Sequence, residues 1–173
     1  VAELIYYAIY PVLRGVANRW GWQRLLLVAY LGASSVVVLH PTTKGMPDYG
    51  YHLTWLVGLP CWLLGCVLGE HVARPLPAGT SAGSFRGLRV AMFALNVLSW
   101  QTLFSARPYL PPNAFIVALQ VVGVGAYFWL KAEIRHFRAA TPSRLLESAG
   151  AWSYSLYLFH ELCFSAWARW VPA

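Results

Sequence analysis

Apolar residues run through this chain in long blocks, broken at intervals by short stretches where Arg, Pro, Gly and Asn gather. Six blocks read as helices: Val1–Leu13, Leu25–Leu39, Leu53–Val72, Leu88–Ala106, Ala114–Leu130 and Gly150–Val171. A helix needs about 20 residues to cross a hydrocarbon core of about 30 Å. The first block covers only about 20 Å, so it is expected to be the end of a span that starts upstream. No basic n-region precedes it, so it is not expected to be a signal peptide. The second block is short and must borrow Trp22 or His40 at its ends. The pattern predicts an all-α, polytopic membrane helix bundle of about six transmembrane helices. Residues 1–173 are expected to form a single transmembrane domain, part of a larger one.

Composition sharpens this picture. Hydrophobic residues make up 58% and charged residues 11%, against about 25% charged in a soluble domain. The net charge of +7 would suggest nucleic acid in a soluble protein, but here the basic residues sit in the linkers between apolar blocks. Ten flank alternate linkers (Arg14, Arg19, Arg24; Arg74, Arg86, Arg89; Lys131, Arg135, Arg138, Arg144), and only Lys44, Arg107 and Arg169 lie on the other side. The positive-inside bias puts the ten in the cytoplasm, so the partner is a lipid bilayer and not nucleic acid. The exterior linkers 40–52 and 107–113 are rich in Pro, Gly and Tyr and read as turns. The linker 73–87 reads as a Pro/Gly/Ser loop. Cys61, Cys66 and Cys163 offer no Cys-x-x-Cys or Cys/His spacing, so neither a structural disulfide nor a metal site is expected.

Chemistry concentrates in the closing and opening blocks. Ser153, Tyr157, His160, Phe164 and Trp167 follow one another at helical spacing and form one stripe; Tyr154 and Glu161 lie on the next. A stripe of this kind turns toward a bundle interior, either as hydrogen-bonding glue between helices or as the lining of a site. In the opening block Glu3 precedes Tyr6, Tyr7 and Tyr10, so phenols can flank the carboxylate. The alternative is an acid at interface depth beside an aromatic belt. Elsewhere, Gly65-x-x-x-Gly69 reads as close helix packing, and Glu70-His71 as structural. His40 and His52 flank an exterior loop. His136 joins Arg135 and Arg138 in a basic cluster suited to anionic lipid or a nucleotide-bearing donor. No Gly-rich phosphate loop or nucleophile elbow is present.

Two segments resemble one family. Val1-Ala-Glu3-Leu-Ile-Tyr6-Tyr7-Ala-Ile-Tyr10-Pro11 is similar to the Trp-Ser-Leu-x-x-Glu-x-x-Phe/Tyr-Tyr-x-x-x-Pro segment of the acyltransferase-3 family of integral membrane O-acyltransferases. Gly150-x-x-Ser153-Tyr154-x-x-Tyr157-Leu158-x-His160 resembles that family's Gly-x-x-Ser-Tyr-x-x-Tyr-Leu-x-His segment. The blocks between match in hydropathy and spacing alone. The resemblance implies a bacterial inner-membrane, multi-pass enzyme of about ten spans. Such an enzyme moves an acyl group, usually acetyl, from acyl-coenzyme A to a hydroxyl of a cell-envelope glycan, lipid or small molecule. Coenzyme A would be a donor substrate, with no resident cofactor. The resemblance further implies that Glu3 and His160 are the motif acid and histidine, with substrate-binding roles for Tyr6, Tyr10, Ser153, Tyr154 and Tyr157. The family's histidine in its first span, the expected base, would precede residue 1. The chain matches the fourth to ninth spans and is therefore expected to be inactive alone. A proton-coupled transporter or flippase using His160, Glu161 and Glu3, or a purely structural membrane subunit, stands as the alternative from the residues themselves.

Overall fold

The computed structural model describes residues 2–73, 82–105 and 109–139, with positions 144–145, 147–148 and 152. Among these, five α-helices and one 3-10 turn form, without a strand: α1 Ala2–Trp20, α2 Trp22–Leu39, the turn Met46–Tyr49, α3 Gly50–Ala73, α4 Ala82–Ser105 and α5 Ala114–Ala139. Residues 1–136 make one compact unit and residues 137–173 a second.

The helices are longer than the apolar blocks, because charge alone does not end a helix. The stretch expected as a linker between α1 and α2 is helical on both sides of Gly21, whose φ of 85° a side chain would strain. Likewise α5 continues through Lys131–His136, where no Pro or Gly interrupts it. Three helical segments are long and apolar enough to cross a membrane: Trp22–Leu39, Met46–Val72 and Ala114–Phe137. The expected count of six spans is therefore too high for the described residues. Glu3, Arg14 and Arg19 dilute α1, and Arg86, Arg89, Asn96 and Gln101 dilute α4. The closing block 150–171 lies outside the described residues, save Trp152.

Helices α1, α2 and α3 share one core of Tyr6, Ala17, Leu25, Ala29, Leu59 and Leu63. A second core joins Val36, Val37, Tyr49 and Val57 to Ile116 of α5. Both cores meet one turn of α3 that contains Pro60, which is fully buried. Proline has no N–H to give the carbonyl one turn before it. On either side of that position, side chains from other helices reach the α3 backbone. The Tyr6 hydroxyl donates to the Trp55 carbonyl at 2.7 Å, and the Gln120 amide donates to the Val57 carbonyl at 2.7 Å. The Tyr6 contact requires glycine at position 58, because a Cβ there would lie 2.5 Å from the phenol oxygen.

Charge collects at one end of the unit. Arg14 of α1 approaches Glu70 of α3 at 3.5 Å. Arg89 of α4 grips Glu133 of α5 through two hydrogen bonds of 2.7 and 2.9 Å, and the Trp129 indole adds a third at 2.8 Å. At the opposite end Asn113 donates to the Val37 carbonyl, the His40 ring lies within hydrogen-bond distance of the Val36 carbonyl, and the Asp48 carboxylate accepts from the Lys44 and Gly45 backbone. Among the described residues little covers α5, of whose apolar stretch only 6% is buried.

Helix-interior Gly→Ala normally stabilises by about 0.5–1 kcal/mol. Gly58→Ala is expected to do the reverse by dislodging the Tyr6 hydroxyl. In a Tyr6→Phe background the penalty should shrink toward zero. Thermal unfolding in detergent of the two single variants and the double variant checks this; equal penalties in both backgrounds would show that the two residues are uncoupled.

Candidate functional site

Helix α1 carries two different faces. Ala2, Tyr6, Ile9, Leu13 and Ala17 pack toward α2 and α3. Tyr7, Tyr10 and Arg14 fall within about 40° of Glu3 on an ideal helix and make with it a separate polar stripe. Three of those four residues line a groove of about 740 Å³ between α1 and α3: Tyr7, Tyr10 and Arg14 from α1, facing Cys61, Trp62, Gly65, Cys66, Gly69 and Glu70 of α3. Glu3 is exposed and lies one turn beyond the groove on the same stripe. Across the Tyr10–Arg14 ridge a second hollow of about 440 Å³ touches Pro11, Gly15 and Asn18. The ridge is thus open from both sides.

Aromatic stacking fixes the groove wall. Trp62 stacks on Tyr6 at 5.1 Å with 25° between the rings, and meets Tyr10 edge-on at 5.8 Å. Tyr6 is consequently a wall support, buried at 7% exposure with its hydroxyl committed to Trp55. The phenols that share the stripe of Glu3 are Tyr7 and Tyr10; Tyr6 lies about 60° to the side. Of the two alternatives beside Glu3, Tyr6 or Tyr7, it is Tyr7 that shares its stripe. The Arg14–Glu70 pair closes the groove at the charged end, where the two side chains keep 56% and 22% of their surface. An ion pair so exposed is weak, typically about 0–1 kcal/mol, and can exchange its partner for another anion.

Gly65 and Gly69 also play a part that their spacing did not announce. Among the described residues no heavy atom lies within 4 Å of a Cβ built on either, so neither brings two described helices together. They leave the groove floor low. The close approaches are elsewhere: a Cβ at Gly123 would lie 2.8 Å from the Cys61 sulfur, and one at Gly125 would lie 2.9 Å from the Met92 sulfur. Cys61 and Cys66 are both free thiols. His71 turns back on its own helix, with Nδ1 2.9 Å from the Val67 carbonyl, and the ring of His40 packs on Tyr49.

Of the residues expected at a site, Glu3, Tyr6 and Tyr10 are placed; Ser153, Tyr154, Tyr157, His160 and Glu161 lie outside the described residues. Arg14, Glu70 and Trp62 join the groove without having been singled out for it. For Arg14 a signal existed: it continues the stripe of Glu3, Tyr7 and Tyr10 at spacings of four, three and four. For Trp62 and Glu70 none existed, because only packing shows which face of α3 meets α1. Chemically, the groove offers phenol and guanidinium donors that can meet negative charge.

A family model described as an acyltransferase domain, of the acyltransferase-3 type, matches residues 1–173. No curated protein and no solved structure matches the chain.

Because no described residue crowds Gly65 or Gly69, Gly65→Ala and Gly69→Ala should stabilise α3 by about 0.5–1 kcal/mol, while Gly123→Ala should destabilise. Denaturation of the three variants in detergent decides it. A larger loss at Gly65 or Gly69 than at Gly123 would restore the packing role.

Proposed function

The chain belongs to the acyltransferase-3 family, and we propose that it forms part of a membrane O-acyltransferase that moves an acyl group, with acetyl as the expected case, from coenzyme A to a hydroxyl of a cell-envelope glycan, lipid or small molecule. The observation that carries this reading is the α1–α3 groove, with its stripe of Tyr7, Tyr10 and Arg14 opening at the charged end of the helices. Basic helix ends favour the cytoplasmic side of a bacterial inner membrane. That is the side on which acyl-coenzyme A is available. Arg14, weakly held by Glu70, is placed to exchange that carboxylate for a donor phosphate.

Acyl transfer from a thioester to a hydroxyl requires a base for the hydroxyl proton and donors for the oxyanion. The attacking oxygen forms a bond to the carbonyl carbon, the tetrahedral oxyanion collapses, and the thiol leaves with a proton. Tyr7 and Tyr10 supply donors along the groove. Glu3, one turn further on, is suited to accept a hydrogen bond from the acceptor hydroxyl. His160 of the closing motif, with Ser153, Tyr154 and Tyr157, is assigned to the same transfer site through the family motif. Tyr6 serves as a positioning residue for Trp62 and Tyr10.

Membranes carrying the full-length protein should label an acceptor from radiolabelled acetyl-coenzyme A. Glu3→Gln and His160→Ala should lower that transfer about 100-fold or more, the scale of a lost proton-transfer or orienting group, while expression and unfolding temperature stay unchanged. Wild-type turnover in both variants would sink the assignment. Proton-coupled flux with no covalent labelling would favour the transporter.

A further inference from the structure

At the end of the helices away from Arg14 and Arg89, a pocket of about 400 Å³ opens between the loop that follows α2 and the corner leading into α5. Its lining includes Lys44 from the loop, Trp100 from the last turns of α4, Pro111 and Pro112 from the corner, and Phe115 from the start of α5. The volume lies within the range of small-molecule sites, about 300–1,000 Å³. The positive-inside bias puts this end of the helices on the exterior face of the membrane.

Several ties hold the walls in place. Asp48 Oδ2 accepts from the backbone N–H groups of Lys44 and Gly45 at 3.1 and 3.0 Å, which fixes the stretch from which the lysine side chain springs. Asn113 donates to the Val37 carbonyl at 3.1 Å and binds the start of α5 to α2. The Trp100 and Phe115 rings meet at 5.8 Å with 56° between them, and the two prolines stiffen the corner beside them. Walls fixed in this way lose little freedom when a ligand binds.

The lining is apolar apart from one charge. Trp100 keeps 49% of its surface exposed, and with Phe115 and the prolines it offers flat apolar faces. Among the described lining residues Lys44 alone is charged. Its side chain is exposed, and among the described residues no ion pair holds its ammonium. A hydrocarbon tail would cover the rings and leave the ammonium unmatched. A bare inorganic anion would meet the ammonium and leave the rings wet. A pyranose ring that carries a carboxylate suits both. Its C–H face, slightly positive, lies against the negative face of an indole, and its carboxylate accepts a charge-assisted hydrogen bond from the lysine.

We propose that this pocket binds an acidic sugar unit, of the hexuronate kind, in the glycan that accepts the acyl group. This rests on the acyltransferase reading and narrows it: the acceptor hydroxyl belongs to a glycan with a carboxylate-bearing sugar. Lys44 reads the charge and Trp100 reads the ring.

The test is saturation-transfer NMR on the full-length protein in phosphatidylcholine nanodiscs. The probes are methyl β-glucuronide and methyl β-glucoside, which share a ring and differ in the carboxylate. The glucuronide is expected to bind about five-fold more tightly, the scale of a partly exposed ion pair, and the gap should narrow as salt is raised. Lys44→Gln should bring the glucuronide down to the affinity of the glucoside. Trp100→Leu should weaken both sugars about five-fold, the scale of a lost ring contact. Should Trp100→Leu fail to fold, Lys44→Gln, at an exposed side chain, decides alone. Equal affinities for the two sugars, or glucuronide binding indifferent to Lys44→Gln, would overturn the proposal. Displacement of the glucuronide by an equal concentration of glycerol 3-phosphate, the soluble head of an anionic lipid, would overturn it in favour of a lipid headgroup. Binding needs no acyl donor, so a wild type that binds the glucuronide but transfers nothing would count against the acyltransferase reading and leave the sugar site standing.

Discussion

The arrangement turns on a single proline. Pro60 sits within an apolar α3 helix, where a membrane leaves no water to satisfy backbone groups that lose their partners. The carbonyl deprived of its helical partner is that of Leu56, and the carbonyls on either side of it, Trp55 and Val57, accept from side chains of α1 and α5. Those two bonds bring Tyr6 and Gln120 to the same turn from different sides. Glycine at 58 and glycine at 123 give them room, the first against the Tyr6 hydroxyl and the second against the Cys61 sulfur. Side chains of α1 and α5 thus meet α3 within one turn, beside Pro60, and the groove of α1 lies next to that point.

Much of the fold was legible because a bilayer imposes few choices. Long apolar blocks had to be helices, and the positions of Arg14, Arg89 and Lys131 marked one set of helix ends. The membrane count was less legible, since it depends on how many polar residues a helix can carry when its neighbours cover them. Glu3, Arg14 and Arg19 in α1 are each explicable, yet together they take that helix below what its length alone suggests. Helix boundaries were underestimated for a related reason: Arg and Lys end an apolar block without ending a helix, and only Gly21 enforces a break between α1 and α2.

The candidate site was legible in kind and not in detail. Glu3 with tyrosines three, four and seven residues later was visible, but a carboxylate has neighbours at both spacings. Choosing between Tyr6 and Tyr7 requires knowing which face packs, and that is decided by Trp55, Gly58 and Trp62 on a helix some fifty residues away. The Gly65–Gly69 pair shows the same limit from the other direction. Its spacing fits close packing, yet in α3 that face meets the groove, and the tight contacts fall to glycines with no such motif.

These assignments have a common logic. A tyrosine whose hydroxyl is held by a backbone carbonyl and whose ring is stacked is fixed, and so it can hold others in place. Tyr10, with its ring edge-on to Trp62 and its side chain on the groove, is held by its ring alone. Arg14 is tied to Glu70 by one long, partly exposed contact, whereas Arg89 is locked to Glu133 by two short hydrogen bonds. Both arginines stand at the charged end of the helices, but only the first can change partners at low cost. The packed face of α1 thus spends its polar groups on structure and its other face keeps them available. That division is set by one helix seen from two sides, one packed on α2 and α3 and the other lining the groove.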